Sequence, residues 1–110
     1  MNPDERWTYI CRFDDLLPGR GVAALVEGEQ VAIFRADGRL FAVDNLDPHS
    51  GAHVISRGIV GSCGGVPTVA SPMYKDVFDL RTGACLDDPE LALEPYRVFR
   101  HRGLVFCAPR

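Results

Sequence analysis

The chain has 110 residues, the length of one compact domain, which excludes an enzyme assembled from separate cofactor and substrate domains. Apolar residues make up 46% and charged residues 25%, a globular composition that excludes a disordered chain. Twelve basic against 15 acidic residues give a net charge of −3 with no basic stripe, so no nucleic-acid partner is expected.

Eleven glycines and eight prolines break the apolar residues into short stretches, which predicts an all-β sandwich or barrel. Trp7, Tyr9, Cys11 and Phe13 alternate with Thr8, Ile10 and Arg12 as a half-buried first strand would, and Asp14 to Gly21 follows as a loop. Gly21 to Val26 and Gln30 to Ala36 are two strands joined through Glu27-Gly28-Glu29. Asp37-Gly38 between Val31–Phe34 and Leu40–Val43 carries the strongest hairpin pattern, because Asp-Gly supplies the positive φ angles of a type I′ turn. Gly64-Gly65, between Ile59–Cys63 and Val66–Ala70, and Arg102-Gly103, between Tyr96–His101 and Leu104–Cys107, predict two more hairpins. Asp87-Asp88-Pro89-Glu90 suits the start of a single helical turn. Two stretches, residues 45–53 and 70–76, resist strand assignment and are expected as loops on the β scaffold. The whole chain, 1–110, is expected to be one domain with its core over about residues 7–107.

No apolar run approaches the roughly 20 residues that cross a bilayer. The N-terminal Met-Asn-Pro-Asp-Glu-Arg has no leader pattern, so a cytoplasmic protein without a membrane partner is expected. Cys11, Cys63, Cys85 and Cys107 form no C-x-x-C pair and are read as reduced, core or half-buried thiols. With His49, His53 and His101 they complete the stock of cysteine and histidine ligands. Asp14-Asp15 and Asp87-Asp88 read as solvated turns, His101 as a surface residue and Trp7 as core or edge packing. No G-x-S-x-G, H-E-x-x-H, P-loop or G-x-G-x-x-G occurs.

The run Ser71-Pro72-Met73-Tyr74 followed by Phe78-Asp79-Leu80-Arg81-Thr82-Gly83 resembles the second cluster-binding loop of Rieske ferredoxins, C-P-x-H with F-D-L-x-T-G. Asp47-Pro48-His49-Ser50-Gly51-Ala52 resembles their first loop, C-P-H-x-G-A, in the family's order. The resemblance implies a Rieske-like [2Fe-2S] ferredoxin-type β-sandwich with the loops 45–53 and 70–76 at its tip. A Rieske centre takes two thiolates and two imidazoles. At the corresponding positions stand Asp47, His49, Ser71 and Tyr74, so one ligand of four is retained and no cluster is expected in this chain. Phe78 and Leu80 fall on one strand face and can pack inward, and Asp79 and Thr82-Gly83 suit a tight turn, which gives the F-D-L-x-T-G run a structural job without iron.

Loops kept and ligands lost make the chain similar to the small subunit of assimilatory NADH-dependent nitrite reductase, as does Leu91-Ala92-Leu93-Glu94-Pro95-Tyr96. That resemblance implies a large-subunit partner carrying sirohaem, [4Fe-4S] and FAD, which reduces nitrite to ammonium with NADH, and an accessory role for this chain. Met73, Tyr74 and Lys75 are then candidate partner contacts, with Lys75-Asp76 as a polar rim. Tyr74 is alternatively a filler of the cluster's volume, its hydroxyl bonded to His49 or Asp47. Two other readings stay open: a mononuclear metal site from His49, His53 and Asp47 or Asp44, and an electron-transfer ferredoxin with an unusual or labile cluster, recruiting Cys63 or a histidine from the loop.

Overall fold

The computed structural model describes residues 6–109. Nine strands run in chain order: β1 (Thr8–Arg12), β2 (Gly21–Val26), β3 (Glu29–Ala36), β4 (Arg39–Asp44), β5 (Ile59–Cys63), β6 (Val66–Ala70), β7 (Val77–Asp79), β8 (Pro95–His101) and β9 (Leu104–Ala108). They form an antiparallel six-stranded sheet in the order β1-β9-β8-β4-β3-β2 and a three-stranded sheet β5-β6-β7. No helix among the described residues is long and apolar enough to cross a membrane.

The hairpins follow the turn chemistry. Asp37 and Gly38 take φ of 53° and 72°, Gly64 and Gly65 59° and 83°, Arg102 and Gly103 52° and 77°, and Glu27 and Gly28 49° and 85°. Each pair supplies the two left-handed residues of a two-residue hairpin, which fixes the register on both sides. Thus Phe34 opposes Phe41 across β3 and β4, and Val60 opposes Val69 across β5 and β6.

The strand β3 is the shared wall of the core. Val31, Ala32, Ile33 and Phe34 are all fully buried, because successive side chains point to opposite faces and both faces are covered. Ala32, Phe34 and Ala36 meet Val69, Phe78 and Leu80 between the two sheets. Val31 and Ile33 meet Val26, Val105 and Cys107 inside the curl of the larger sheet. Burial pushes the Cys107 thiol up to about 11, as suits an inert core cysteine. All four cysteines are free.

Three expectations change in detail. The first strand ends at Arg12, after a register shift between Tyr9 and Cys11, and Phe13 turns into a 3₁₀ turn over Phe13–Asp15, where the Arg35 and Arg100 guanidinium groups lie 4.2 and 4.0 Å from its ring centre. Trp7 precedes the strand and packs edge-on against Phe99 at 4.5 Å. Residues 87–90 form a turn and no helix. The Asp88 carboxylate accepts the Glu90 N–H and its carbonyl the Leu91 N–H, after which Leu93 is drawn to Gly83 by a 2.7 Å backbone bond.

Gly83 sits at φ 82°, and a Cβ there collides with the Leu93 carbonyl, whereas Gly38 at φ 72° faces open space. Gly38→Ala therefore carries only the left-handed backbone cost of about 1 kcal/mol, and Gly83→Ala adds a backbone clash for a total loss above about 2 kcal/mol. Urea unfolding midpoints of the two variants against the parent check the ordering.

Candidate functional site

Three six-residue loops share one hydrogen-bonding scheme. In residues 47–52, Asp47 N–H donates to the Ala52 carbonyl (2.8 Å) and Gly51 N–H to the Asp47 carbonyl (2.8 Å). In 71–76, Ser71 N–H donates to Asp76 (2.9 Å) and Lys75 N–H returns to Ser71 (3.0 Å). In 79–84, Asp79 N–H donates to Ala84 (2.8 Å) and Gly83 N–H returns to Asp79 (2.7 Å). The first side chain of each loop accepts the N–H two residues on: Asp47 from His49, Ser71 from Met73, Asp79 from Arg81. These are Asx- and Ser-type turns, which explains Asp and Ser at the leading positions. The fifth residue is left-handed each time, φ 78° at Gly51, 65° at Lys75 and 82° at Gly83.

The first two loops meet. Asp47 and Ser71 are both fully buried, and the Ser71 hydroxyl donates to Asp47 Oδ2 at 2.6 Å. Burial works to raise the Asp47 carboxyl, but hydrogen bonds from Ser71, His49 and Ser50 outweigh it and hold the group below the usual carboxylate range. His49 Nδ1 lies 2.7 Å from Asp76 Oδ2, and the His49 ring stacks on Tyr74 with centroids 3.9 Å apart and planes 18° off parallel. Asn45, buried behind the first loop, bonds Gln30, the His53 carbonyl and the Ser56 N–H and so seats the loop on β3.

The four positions that the resemblance singled out thus come together in two pairs, Asp47 with Ser71 and His49 with Tyr74. Tyr74 reaches His49 through its ring face and is 57% exposed, and its hydroxyl bonds neither His49 nor Asp47. Asp76, expected as a rim residue beside Lys75, is instead largely covered, its side chain 15% exposed and held by His49. Met73 is 52% exposed, and Lys75 is exposed with Nζ donating to the Pro72 carbonyl at 3.3 Å.

Other expected combinations are not assembled. His53 pairs its backbone with Leu46, and Asp44 bonds the Tyr96 hydroxyl at 3.4 Å, so neither joins His49 in a metal-holding group among the described residues. Burial raises the Asp44 carboxyl above its ordinary value. Cys63 opposes Val66, four residues before Ala70 on β6. At about 3.3 Å per residue it lies more than ~13 Å along the strand from Ser71. Sequence reasoning missed the His49–Asp76 contact and a cluster of Asp76, Cys85 and Asp87, whose ligand atoms lie within 4.8 Å of one another. The repeated Asp-x-x-Thr/Ser-Gly-Ala pattern at 47–52 and 79–84 is the readable sign that these loops share a geometry.

A folded carboxyl held low stabilises the protein above its unfolded pKa of about 3.9, and that stability is lost as pH falls through the lower folded value. Asp47 and Asp79, the latter opposed by burial but lowered by Arg81, both act in this direction. Ser71→Ala removes one donor from a buried carboxylate and is expected to cost about 1–3 kcal/mol at neutral pH. It also flattens the loss of stability as pH falls below about 4, as denaturant titrations at several pH values would read.

Residues 6–108 match the family model described as a Rieske-like [2Fe-2S] domain. A crystal structure of an NADH-dependent nitrite reductase small subunit from Mycobacterium tuberculosis is similar at TM-score 0.93 and 47% identity, over 96% of each chain. The nitrite reductase (NADH) small subunit of Salmonella typhimurium is 45% identical over 93 residues, 83% of this chain and 86% of that protein. A nitrite reductase [NAD(P)H] large subunit from Klebsiella oxytoca is 38% identical over 104 residues, which are 94% of this chain and 11% of that protein.

Proposed function

The chain belongs to the Rieske-like [2Fe-2S] domain family, among the NADH nitrite reductase small subunits, and on that premise we propose that it is an accessory subunit docked on a nitrite reductase large subunit, without a redox centre of its own. The Klebsiella large subunit carries this reading: 11% of its length is similar to nearly all of this chain, so there a domain of this kind lies within the large-subunit polypeptide itself. On the proposed reading, the separate chain takes the corresponding place as a second molecule. On this reading the partner holds sirohaem, [4Fe-4S] and FAD, takes electrons from NADH and reduces nitrite to ammonium. Four free thiols suit a reducing, cytoplasmic setting.

Donor chemistry supports the cluster-free part. Iron bound to sulfide calls for thiolates, and the two cysteine positions hold Asp47 and Ser71, hard oxygen donors already spent on each other at 2.6 Å. Tyr74 brings no imidazole, and His49 Nδ1 is engaged by Asp76. The residues present do not fit a [2Fe-2S] centre.

Docking is assigned to the paired loops. Met73 and Tyr74 stand exposed on the second loop and present an adaptable thioether and an aromatic ring. Tyr74 is held in place by its stack on His49, so little rotamer freedom is lost when a partner covers it.

Met73→Ala/Tyr74→Ala is expected to unfold at the parent's denaturant midpoint and to bind the large subunit about 10- to 100-fold more weakly, since buried aromatic anchors carry about 1–3 kcal/mol. Calorimetric titration and NADH-dependent nitrite reduction by the reconstituted pair measure both. Undiminished affinity would exclude the loops as the docking surface. Two irons and two sulfides per chain after anaerobic purification would overturn the cluster-free reading.

A further inference from the structure

The Asp76, Cys85 and Asp87 cluster belongs to neither tip pairing. Asp76 closes the second six-residue loop, and Cys85 lies on the segment that returns after β7, where an isolated bridge pairs it with Phe78. Asp87 is turned back by accepting the Val77 N–H at 2.9 Å. A carboxylate oxygen of each aspartate and Cys85 Sγ all lie within 4.8 Å of one another. Among the described residues no lysine or arginine bridges to either aspartate. Cys85 is 8% exposed, and its thiol faces the two carboxylates with no hydrogen bond to either. Asp76 is met by His49 and Asp87 by the Val77 N–H, and their carboxylates converge with a buried sulfur that has no hydrogen-bond partner.

We propose that Cys85, Asp76 and Asp87 bind a divalent transition-metal ion of the zinc type, with solvent completing the coordination. The sulfur donor selects a borderline or soft ion over magnesium or calcium, and the two carboxylates supply hard oxygens that zinc also accepts. With metal–sulfur near 2.3 Å and metal–oxygen near 2.0–2.2 Å, tetrahedral ligand atoms stand about 3.3–3.6 Å apart. The cluster closes to that spacing by a movement of about 1 Å, which Asp87, exposed on a bend, can make. His49 Nδ1, 2.7 Å from Asp76 Oδ2, orients that ligand from behind, as outer hydrogen bonds do for metal-bound carboxylates. On binding, the metal–sulfur bond forms as the Cys85 S–H proton passes to solvent, and no electron is transferred. The bound ion ties the second tip loop to the segment that returns after β7.

The test is titration of Co²⁺ into the chelator-treated, reduced full-length chain, followed in the near ultraviolet, where thiolate-to-cobalt charge transfer absorbs. One equivalent should develop the band and release protons, and Zn²⁺ should displace the Co²⁺. Cys85→Ser should abolish the band and Cys63→Ser leave it intact. Asp87→Asn keeps an oxygen for the Val77 N–H, so it tests the site in a folded chain even if the cysteine variant misfolds, and it should weaken Co²⁺ at least about tenfold. His49→Ala should weaken it about 10- to 100-fold. Absence of the band, its survival in Cys85→Ser, its loss in Cys63→Ser, or unchanged affinity in Asp87→Asn would each overturn the proposal. No partner subunit enters these measurements, so failure of the docking reading leaves their meaning unchanged.

Discussion

A fully buried carboxylate must be met by donors or it opposes folding, and Asp47 is the group around which the tip is organised. Two of its donors are local, the His49 backbone N–H and Ser50, and the third is the Ser71 hydroxyl, 24 residues on in the chain. That third bond makes the two loops one object. Ser71 is committed from both sides, since its oxygen also accepts the Met73 N–H, so its loop cannot shift without unsatisfying two buried groups. Asn45 transmits the same constraint to β3, the strand on which both halves of the core rest.

The pairing at the tip is like with like. The two positions that correspond to thiolates bond each other, and the two that correspond to imidazoles stack on each other, 3.9 Å between ring centres. Contacts between side chains thus join the same four points that a metal cluster would otherwise bridge. The inner pair is dry and polar, and the outer pair is aromatic and half in solvent. Shape is set by the first and surface chemistry by the second.

The hairpins were legible because two-residue turns leave a local imprint. Asp37-Gly38, Gly64-Gly65 and Arg102-Gly103 each turn the chain where the sequence says, and β2, β5 and β6 begin and end where the sequence reading places them. The Phe78-Asp79-Leu80 run packs inward as its alternation implies, and its Asp79 starts a loop built like those at the tip. Contacts between segments distant in the chain were not legible. His49 finds Asp76 across 27 residues, and Asp76 in turn meets Cys85 and Asp87 from the far side of β7. At residues 87–90 the capping residues make one turn, Asp88 accepting from Glu90 and Leu91, and no helix grows from it, the chain instead bonding Leu93 to Gly83. The shift in β1 has the same character, since Phe13 leaves the strand to lie between the Arg35 and Arg100 guanidinium groups.

The loop at residues 79–84 has no counterpart to a cluster ligand, yet it carries the hydrogen bonds found at 47–52 and 71–76, to within 0.3 Å in each backbone bond. Its geometry comes from the backbone and from short side chains that cap it, and iron contributes nothing. The two loops that share its scheme are held by the same kinds of backbone and side-chain bonds. On the docking, cluster-free reading proposed above, a recognition surface made this way has one form: it passes through no empty, slack state when iron is scarce, and it offers a partner the same shape under conditions that would strip or bleach a metal-built surface.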